Sequence, residues 1–189
     1  FLYRARGHEE RAVALARRLQ AMQPGNNISL VTLVSFGRFE EAIAFGEADW
    51  PGLTCDAQPT IGRRNIFQAM NLSLAYEQTG QRECAETLLL AILEFITGQP
   101  GLGPRAFGFL EVEVNARLGR LDRALGVLRD SVDEGMRAQW TIQVANSPHM
   151  TSLRETTEYQ AIREDVEADF SRQLSVIREM EANGELAPL

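Results

Sequence analysis

Residues 80–85 read GQRECA, and three other six-residue stretches share the pattern: GHEERA at 7–12, GRFEEA at 37–42 and GRLDRA at 119–124. Each glycine lies between two stretches with helical periodicity, where it can adopt the left-handed backbone that ends one helix before a second, antiparallel helix begins. The alanine follows on the first inward-facing turn, where its methyl group lets two helices approach closely. The pairs are Gly7 with Ala12, Gly37 with Ala42, Gly80 with Ala85, and Gly119 with Ala124. Four such pairs predict a repeated helical hairpin.

This pattern resembles the tetratricopeptide repeat, whose unit of ~34 residues is a helix, a tight turn and a second helix. The third unit matches best, through Leu72, Ser73, Tyr76, Gly80, Ala85 and Leu89. The spacing between units departs from the repeat, and two stretches with proline and glycine, residues 50–62 and 98–104, read as inserted loops. The resemblance implies an all-α, right-handed α-solenoid of antiparallel helical hairpins with a long C-terminal capping helix.

The last part of the chain carries the pattern of that capping helix, from about Thr157 to Asn183. Its apolar residues recur at steps of three and four, at Ile162, Val166, Phe170, Leu174 and Ile177. Gly184 and Pro188 follow as stop signals. The stretch before it reads as one further first helix around Trp140.

We therefore predict one domain over residues 1–189. About four hairpins occupy residues 1–135, and the cap occupies residues 136–189. Because the chain begins with what reads as the end of a helix, we expect it to be a piece of a longer protein.

The tail carries a second pattern, formed by Trp140, Pro148, Leu153, Arg154, Tyr159, Ile162, Gly184, Glu185 and Leu186. This pattern resembles the C-terminal ends of repeat-bearing bacterial signalling proteins. These are notably winged-helix transcriptional activators and regulators of the nucleotidyl-cyclase type, in which the repeats follow an effector domain. The resemblance implies that this chain is the regulatory or scaffolding part of such a protein.

The composition of the chain limits the kinds of partner that it can bind. The formal net charge of −7 and the pI of about 5.0 disfavour direct nucleic-acid binding, which needs a concentrated basic face. The longest apolar stretch, at residues 88–96, is too short to cross a bilayer. Cys55 and Cys84 fit a reducing compartment as free thiols, although the sequence also allows one disulfide between them. The cytoplasm is favoured, with the periplasm as the alternative if a membrane-spanning segment precedes the chain.

No catalytic motif is recognisable. His8 begins a HEERA stretch that lacks the second histidine of a zinc helix, because Ala12 occupies that position. His149 follows a proline at a helix break, where we expect it to be exposed. We therefore predict no catalytic residue, no metal site and no cofactor.

The concave groove is the better candidate for function, because partners of helical solenoids usually bind along the first helices of successive hairpins. Counting back from the turn glycines gives a strip of candidate partner-binding residues: Asn27, Val31, Phe67, Met70, Leu74, Gln78, Phe109, Glu113 and Arg117. The alternative is that Phe67, Met70, Leu74 and Phe109 are ordinary hairpin core.

Two functions follow from these features. The first is a non-catalytic protein-interaction and regulatory module that binds a protein or peptide in the groove, with self-association left open. The second is a small-molecule sensor with a pocket near the C-terminal cap. A third class, a hydrolase or transferase, would require His8 or His149 to be buried beside carboxylates.

Overall fold

The computed structural model of the chain describes residues 9–55, 58–99, 109–137 and 140–186. All regular structure in these residues is helical, which confirms the all-α class. The chain divides into two compact units, residues 1–100 and residues 101–189. Gly7 and His8 lie outside the described residues.

Five helices lie in the residues of the first unit that the structure describes. They are α1 (Glu9–Met22), α2 (Asn27–Ser35), α3 (Phe39–Asp49), α4 (Ile66–Gln78) and α5 (Arg82–Thr97), with a short 3-10 turn at Pro51–Leu53. Helix α2 packs against α1, α3 and α4, and α4 packs in turn against α3 and α5. The first helices of two successive hairpins, α2 and α4, are therefore direct neighbours.

The turns have the geometry that the glycine pattern predicts. Gly37, Gly80 and Gly119 have φ angles of +71°, +83° and +72°. At each, the residue after the glycine donates its N–H to a carbonyl five residues back, as from Arg38 to Leu33 at 2.9 Å. This is the Schellman arrangement, which satisfies the last carbonyls of a helix and requires a left-handed residue. The alanines paired with these glycines are buried, as is Ala12.

The core of the first unit is built from the inner faces of α2 to α5. Leu33, Leu72 and Ile92 are fully buried there. Tyr76 is also buried, and its hydroxyl lies 2.9 Å from a carboxylate oxygen of Glu47 on α3. A disulfide joins Cys55 to Cys84, so the connection between α3 and α4 is covalently attached to α5.

The second unit contains the last hairpin and the cap. Its elements are α6 (Leu110–Arg117), α7 (Leu121–Asp133), a π-helical turn (Thr141–Ala145), a 3-10 turn (Pro148–Met150), α8 (Thr151–Arg154) and α9 (Thr157–Ala182). The long helix is confirmed within one residue of its predicted end. The chain is helical around Trp140 as expected, from residue 140 through a π-helical turn at Thr141–Ala145, and residues 138 and 139 lie outside the described residues.

Among the described residues, the fully buried side chains of helix α9 lie in its first half. Tyr159, Ile162 and Val166 are buried in the core with α7, and Phe170 is partly buried. The predicted apolar stripe continues past this point, but Leu174 is exposed and packs against nothing in this core. Only the first half of the stripe therefore caps the hairpin.

Candidate functional site

The predicted strip separates into exposed and buried members in the first unit. Phe67 is 51% exposed and Gln78 is exposed, while Asn27 and Val31 are half-buried. Met70 and Leu74 are buried in the core. They are thus placed as the core alternative expects, and their side chains add no accessible surface.

Ile28 is an exposed apolar residue that the sequence reasoning missed. It is 66% exposed at the start of α2, one position after Asn27. Helical periodicity could have identified it, because the buried stripe of α2 runs through Leu30, Leu33 and Val34, and Ile28 lies off that stripe. We call Asn27, Ile28, Val31, Phe67 and Gln78 the first-helix face.

Asn27 has a further property on this face. Its side-chain oxygen Oδ1 is buried and accepts no hydrogen bond from the described residues. The neighbouring Asn26 caps α2 instead, accepting the N–H of Ser29 at 2.9 Å. The face therefore combines exposed apolar side chains with a polar side chain whose oxygen lies beneath the surface.

The strip residues of the second unit are placed differently. Phe109 is buried and packs edge-on against Trp140, with ring centroids 5.9 Å apart and planes at 78°. Glu113 and Arg117 lie one turn apart on α6. Phe109 is therefore core, as its alternative expects, and the two charged residues belong to a polar cluster.

That polar cluster consists of Glu113, Arg117, Ser147 and His149. The hydroxyl of Ser147 donates to Oε1 of Glu113 at 2.9 Å and also accepts the backbone N–H of His149 at 3.3 Å. The Ser147 carbonyl accepts from the guanidinium of Arg154 at 2.8 Å, which fixes the 3-10 turn against α8. The cluster thus links α6 to the segment that precedes α8 and α9.

Burial shifts the pKa of two residues of the cluster, Glu113 and His149. Part of the Glu113 side chain stays accessible, but the atoms around its carboxyl displace most of the water, and this desolvation raises its pKa to about 7. The hydrogen bond from Ser147 and the charge of Arg117 act in the opposite direction. The carboxyl is therefore largely protonated in mildly acidic solution.

The prediction that His149 is exposed is wrong. Its side chain is partly buried, and desolvation, followed by the charge of Arg117, lowers its pKa to about 3. Its Nδ1 is buried and has no hydrogen-bond partner in the described part of the chain. The error arises because the 3-10 turn packs against α6, a contact that the local sequence does not indicate.

The cluster brings a histidine near a carboxyl group without forming a nucleophilic relay. Within the described residues no hydrogen bond joins the imidazole of His149 to Ser147 or Glu113, and the Ser147 hydroxyl donates to the carboxyl. No group of three histidine, cysteine or acidic side chains suited to a metal ion occurs in the described residues. The hydrogen bond from Ser147 to Glu113 therefore joins the segment before α8 to helix α6.

A separate surface cleft of about 300 Å³ lies in the first unit. It is lined by Glu9, Glu10, Val13, Arg17 and Arg38. Both arginines pair with Glu41, Arg17 through two contacts of 2.6 and 2.9 Å. The hydrogen bond from Arg17 lowers the pKa of Glu41. Both arginines of the cleft are therefore already paired with a carboxylate.

Comparison with known proteins gave no match to a family model, to a characterised protein or to a solved structure. The resemblance to tetratricopeptide repeats, the solenoid arrangement and its handedness accordingly stay predictions. No helix in the described residues is both long and apolar enough to span a membrane.

Proposed function

We propose that this chain is a non-catalytic protein-interaction and regulatory module of a bacterial signalling or transcription-regulatory protein. The observation that carries the proposal is the exposure of Ile28 and Phe67 on α2 and α4, two first helices that pack side by side. A partner segment with apolar side chains would bury both residues. Asn27 and Gln78 would supply polar contacts beside them.

The placement on neighbouring first helices separates this pair from scattered exposed apolar residues. Single exposed leucines are normal on a protein surface, and Leu90 on the second helix α5 is one, at 42% exposure. It therefore provides a control of similar chemistry in the same hairpin as Phe67.

The proposal predicts that Phe67→Ser weakens partner capture about tenfold or more, because burying an aromatic side chain on binding contributes about 1.5–3 kcal/mol. Leu90→Ser should stay within about twofold of the wild-type chain. The measurement is quantitative mass spectrometry of proteins that a photo-reactive residue captures in an extract of the producing cells. The reactive residue is placed at Gln78 in each variant.

Two controls make this experiment decisive. Ile28→Ser should reduce capture of the same protein as Phe67→Ser, and both variants should retain the helical circular-dichroism spectrum of the wild type. Equal loss in the Leu90 and Phe67 variants, or capture unaffected by either Phe67 or Ile28, would contradict the proposal.

A small-molecule sensor is the second candidate, and the polar cluster of the second unit favours it. Glu113, Ser147 and His149 converge beside the segment that enters the cap, and a buried imidazole nitrogen lacks a partner there. A metabolite that raises the unfolding temperature of the wild type, and not that of Glu113→Gln or His149→Ala, would favour the sensor over the interaction module.

A further inference from the structure

The disulfide between Cys55 and Cys84 joins two sites of different exposure. Cys55 is exposed in the connection between α3 and α4, whereas Cys84 is only 7% exposed on α5. Cys84 is the third residue of that 16-residue helix. A thiol in solution therefore reaches the sulfur of Cys55 more readily than that of Cys84.

The helix also favours one direction of bond cleavage. The first-turn N–H groups of α5 lack carbonyl partners within the helix and carry partial positive charge. A thiolate formed on Cys84 would lie among them, which makes Cys84 the better leaving group in thiol exchange.

The connection has separate attachments on either side of Cys55. Leu53 is fully buried, and the 3-10 turn at Pro51–Leu53 packs against α3. Beyond the disulfide, the side chain of Asn65 accepts the N–H of Gly62 at 2.8 Å and donates to the carbonyl of Thr60 at 2.9 Å. These later contacts are local, so they do not attach the connection to another helix.

The hairpin of α4 and α5 belongs to the core of the first unit, which α2 and α3 also contact. Leu72, Tyr76, Leu88 and Ile92 are almost completely buried in it. This packing does not involve the disulfide, and we expect it to persist when the bond is broken.

We propose that the Cys55–Cys84 disulfide is a reducible clasp, opened by small thiols, that holds the α3–α4 connection against α5 while the hairpin of α4 and α5 stays folded without it. A thiolate attacks the sulfur of Cys55, the S–S bond breaks, and Cys84 leaves as a thiolate that takes a proton from water. A second thiol then displaces the mixed disulfide. The protein disulfide gains two electrons, and two thiols are oxidised to one disulfide.

Glutathione is the probe for the direction of attack. The full wild-type chain is incubated with it, quenched with acid, alkylated and digested for peptide mass spectrometry. The clasp predicts that the mixed disulfide forms on Cys55 at least about tenfold more often than on Cys84. Predominant adducts on Cys84, or no reduction unless the chain is unfolded by denaturant, would overturn the proposal.

Hydrogen exchange on the intact chain, before and after reduction, measures the release of the connection. Gly62 donates its N–H to Asn65 at 2.8 Å, and after reduction this amide should exchange about tenfold faster, while those around Leu88 and Ile92 keep their protection. The double variant Cys55→Ser, Cys84→Ser should show the reduced pattern with and without thiol. Unchanged exchange at Gly62, or a loss of protection throughout α4 and α5, would show that the bond is not a clasp of this kind.

Discussion

Glu113→Gln should raise the free energy of unfolding at pH 8 by about 2–3 kcal/mol and leave it nearly unchanged at pH 4. The glutamine keeps an oxygen that accepts the Ser147 hydroxyl but carries no charge. The effect therefore isolates the cost of an ionised carboxyl in this position.

The sign of this stability change follows from the pKa of Glu113 in the folded and in the unfolded protein. In the folded chain the pKa of Glu113 is about 7, above the ordinary value of 4.5 that it recovers on unfolding. Below pH 4.5 the group is protonated in both states and does not affect stability. As pH rises from 4.5 to 7 the unfolded state ionises first, so the folded state loses stability, and the full cost remains above pH 7. The difference between these pKa values corresponds to roughly 3 kcal/mol, reduced somewhat because water reaches part of the side chain.

His149 changes the stability with pH in the opposite direction, but it does not affect the comparison of the wild type with Glu113→Gln. Its folded pKa of about 3 lies below the ordinary 6.5, so its neutral burial costs stability as pH falls from 6.5 toward 3. Because His149 is present in both the wild type and Glu113→Gln, its contribution cancels in their difference. The wild type alone should show only a shallow pH dependence between about 4.5 and 7.

The measurement is guanidinium unfolding at pH 4, 6 and 8 in a Trp50→Phe background, where Trp140 reports on the second unit. Glu111→Gln is the control on the same helix, since it removes a surface ion pair with Arg123 at 3.0 Å. That control should lose at most about 1 kcal/mol and gain nothing at pH 8. A Glu113→Gln variant that is less stable than the wild type at pH 8 would contradict the assigned burial.

The hairpin turns could be predicted from sequence because their cause is local. A Schellman turn requires a left-handed residue whatever lies around it, so Gly37, Gly80 and Gly119 identify it by themselves. The ends of α9 are set by Thr156, which accepts the N–H of Tyr159 at 3.2 Å, and by Gly184. A few neighbouring residues in the sequence therefore determine each end of this helix.

The polar cluster could not be predicted in this way. Glu113 looks like a solvated residue of an amphipathic helix, and His149 looks like a residue at an exposed break. Their burial arises when Pro148–Met150 packs against α6, more than thirty positions earlier in the chain. Hydrophobic periodicity contains no information about such a contact.

For a related reason, the sequence predicts only in part which residues of the strip are exposed. Periodicity identifies the apolar stripe of α4 but does not tell which of its members the neighbouring helices cover. Met70 and Leu74 are covered, whereas Phe67 one turn earlier is not. The pairing of Cys55 with Cys84 likewise depends on how the irregular connection folds back, so the sequence left it open.

Gly46→Leu should lower the free energy of unfolding by about 3 kcal/mol, because it overfills the contact between α3 and α4. A Cβ atom at Gly46 would lie 2.7 Å from Cδ1 and 3.2 Å from Cδ2 of Leu72. Leu72 is fully buried and packed, so its side chain cannot turn away without displacing other core residues. The absence of a side chain at Gly46 therefore sets how closely the two helices approach.

Gly126 in α7 provides the matched control. It is also a glycine inside a helix, but it is exposed and nothing lies within 4 Å of a Cβ placed there. Gly126→Ala should therefore stabilise the chain by about 0.5–1 kcal/mol through helix propensity alone. Chemical unfolding of the two variants, and of Gly46→Leu combined with Leu72→Ala, tests the explanation. The combined variant should be less destabilised than the sum of its parts, because the smaller residue makes room. Strict additivity would show that α3 and α4 do not meet at Gly46.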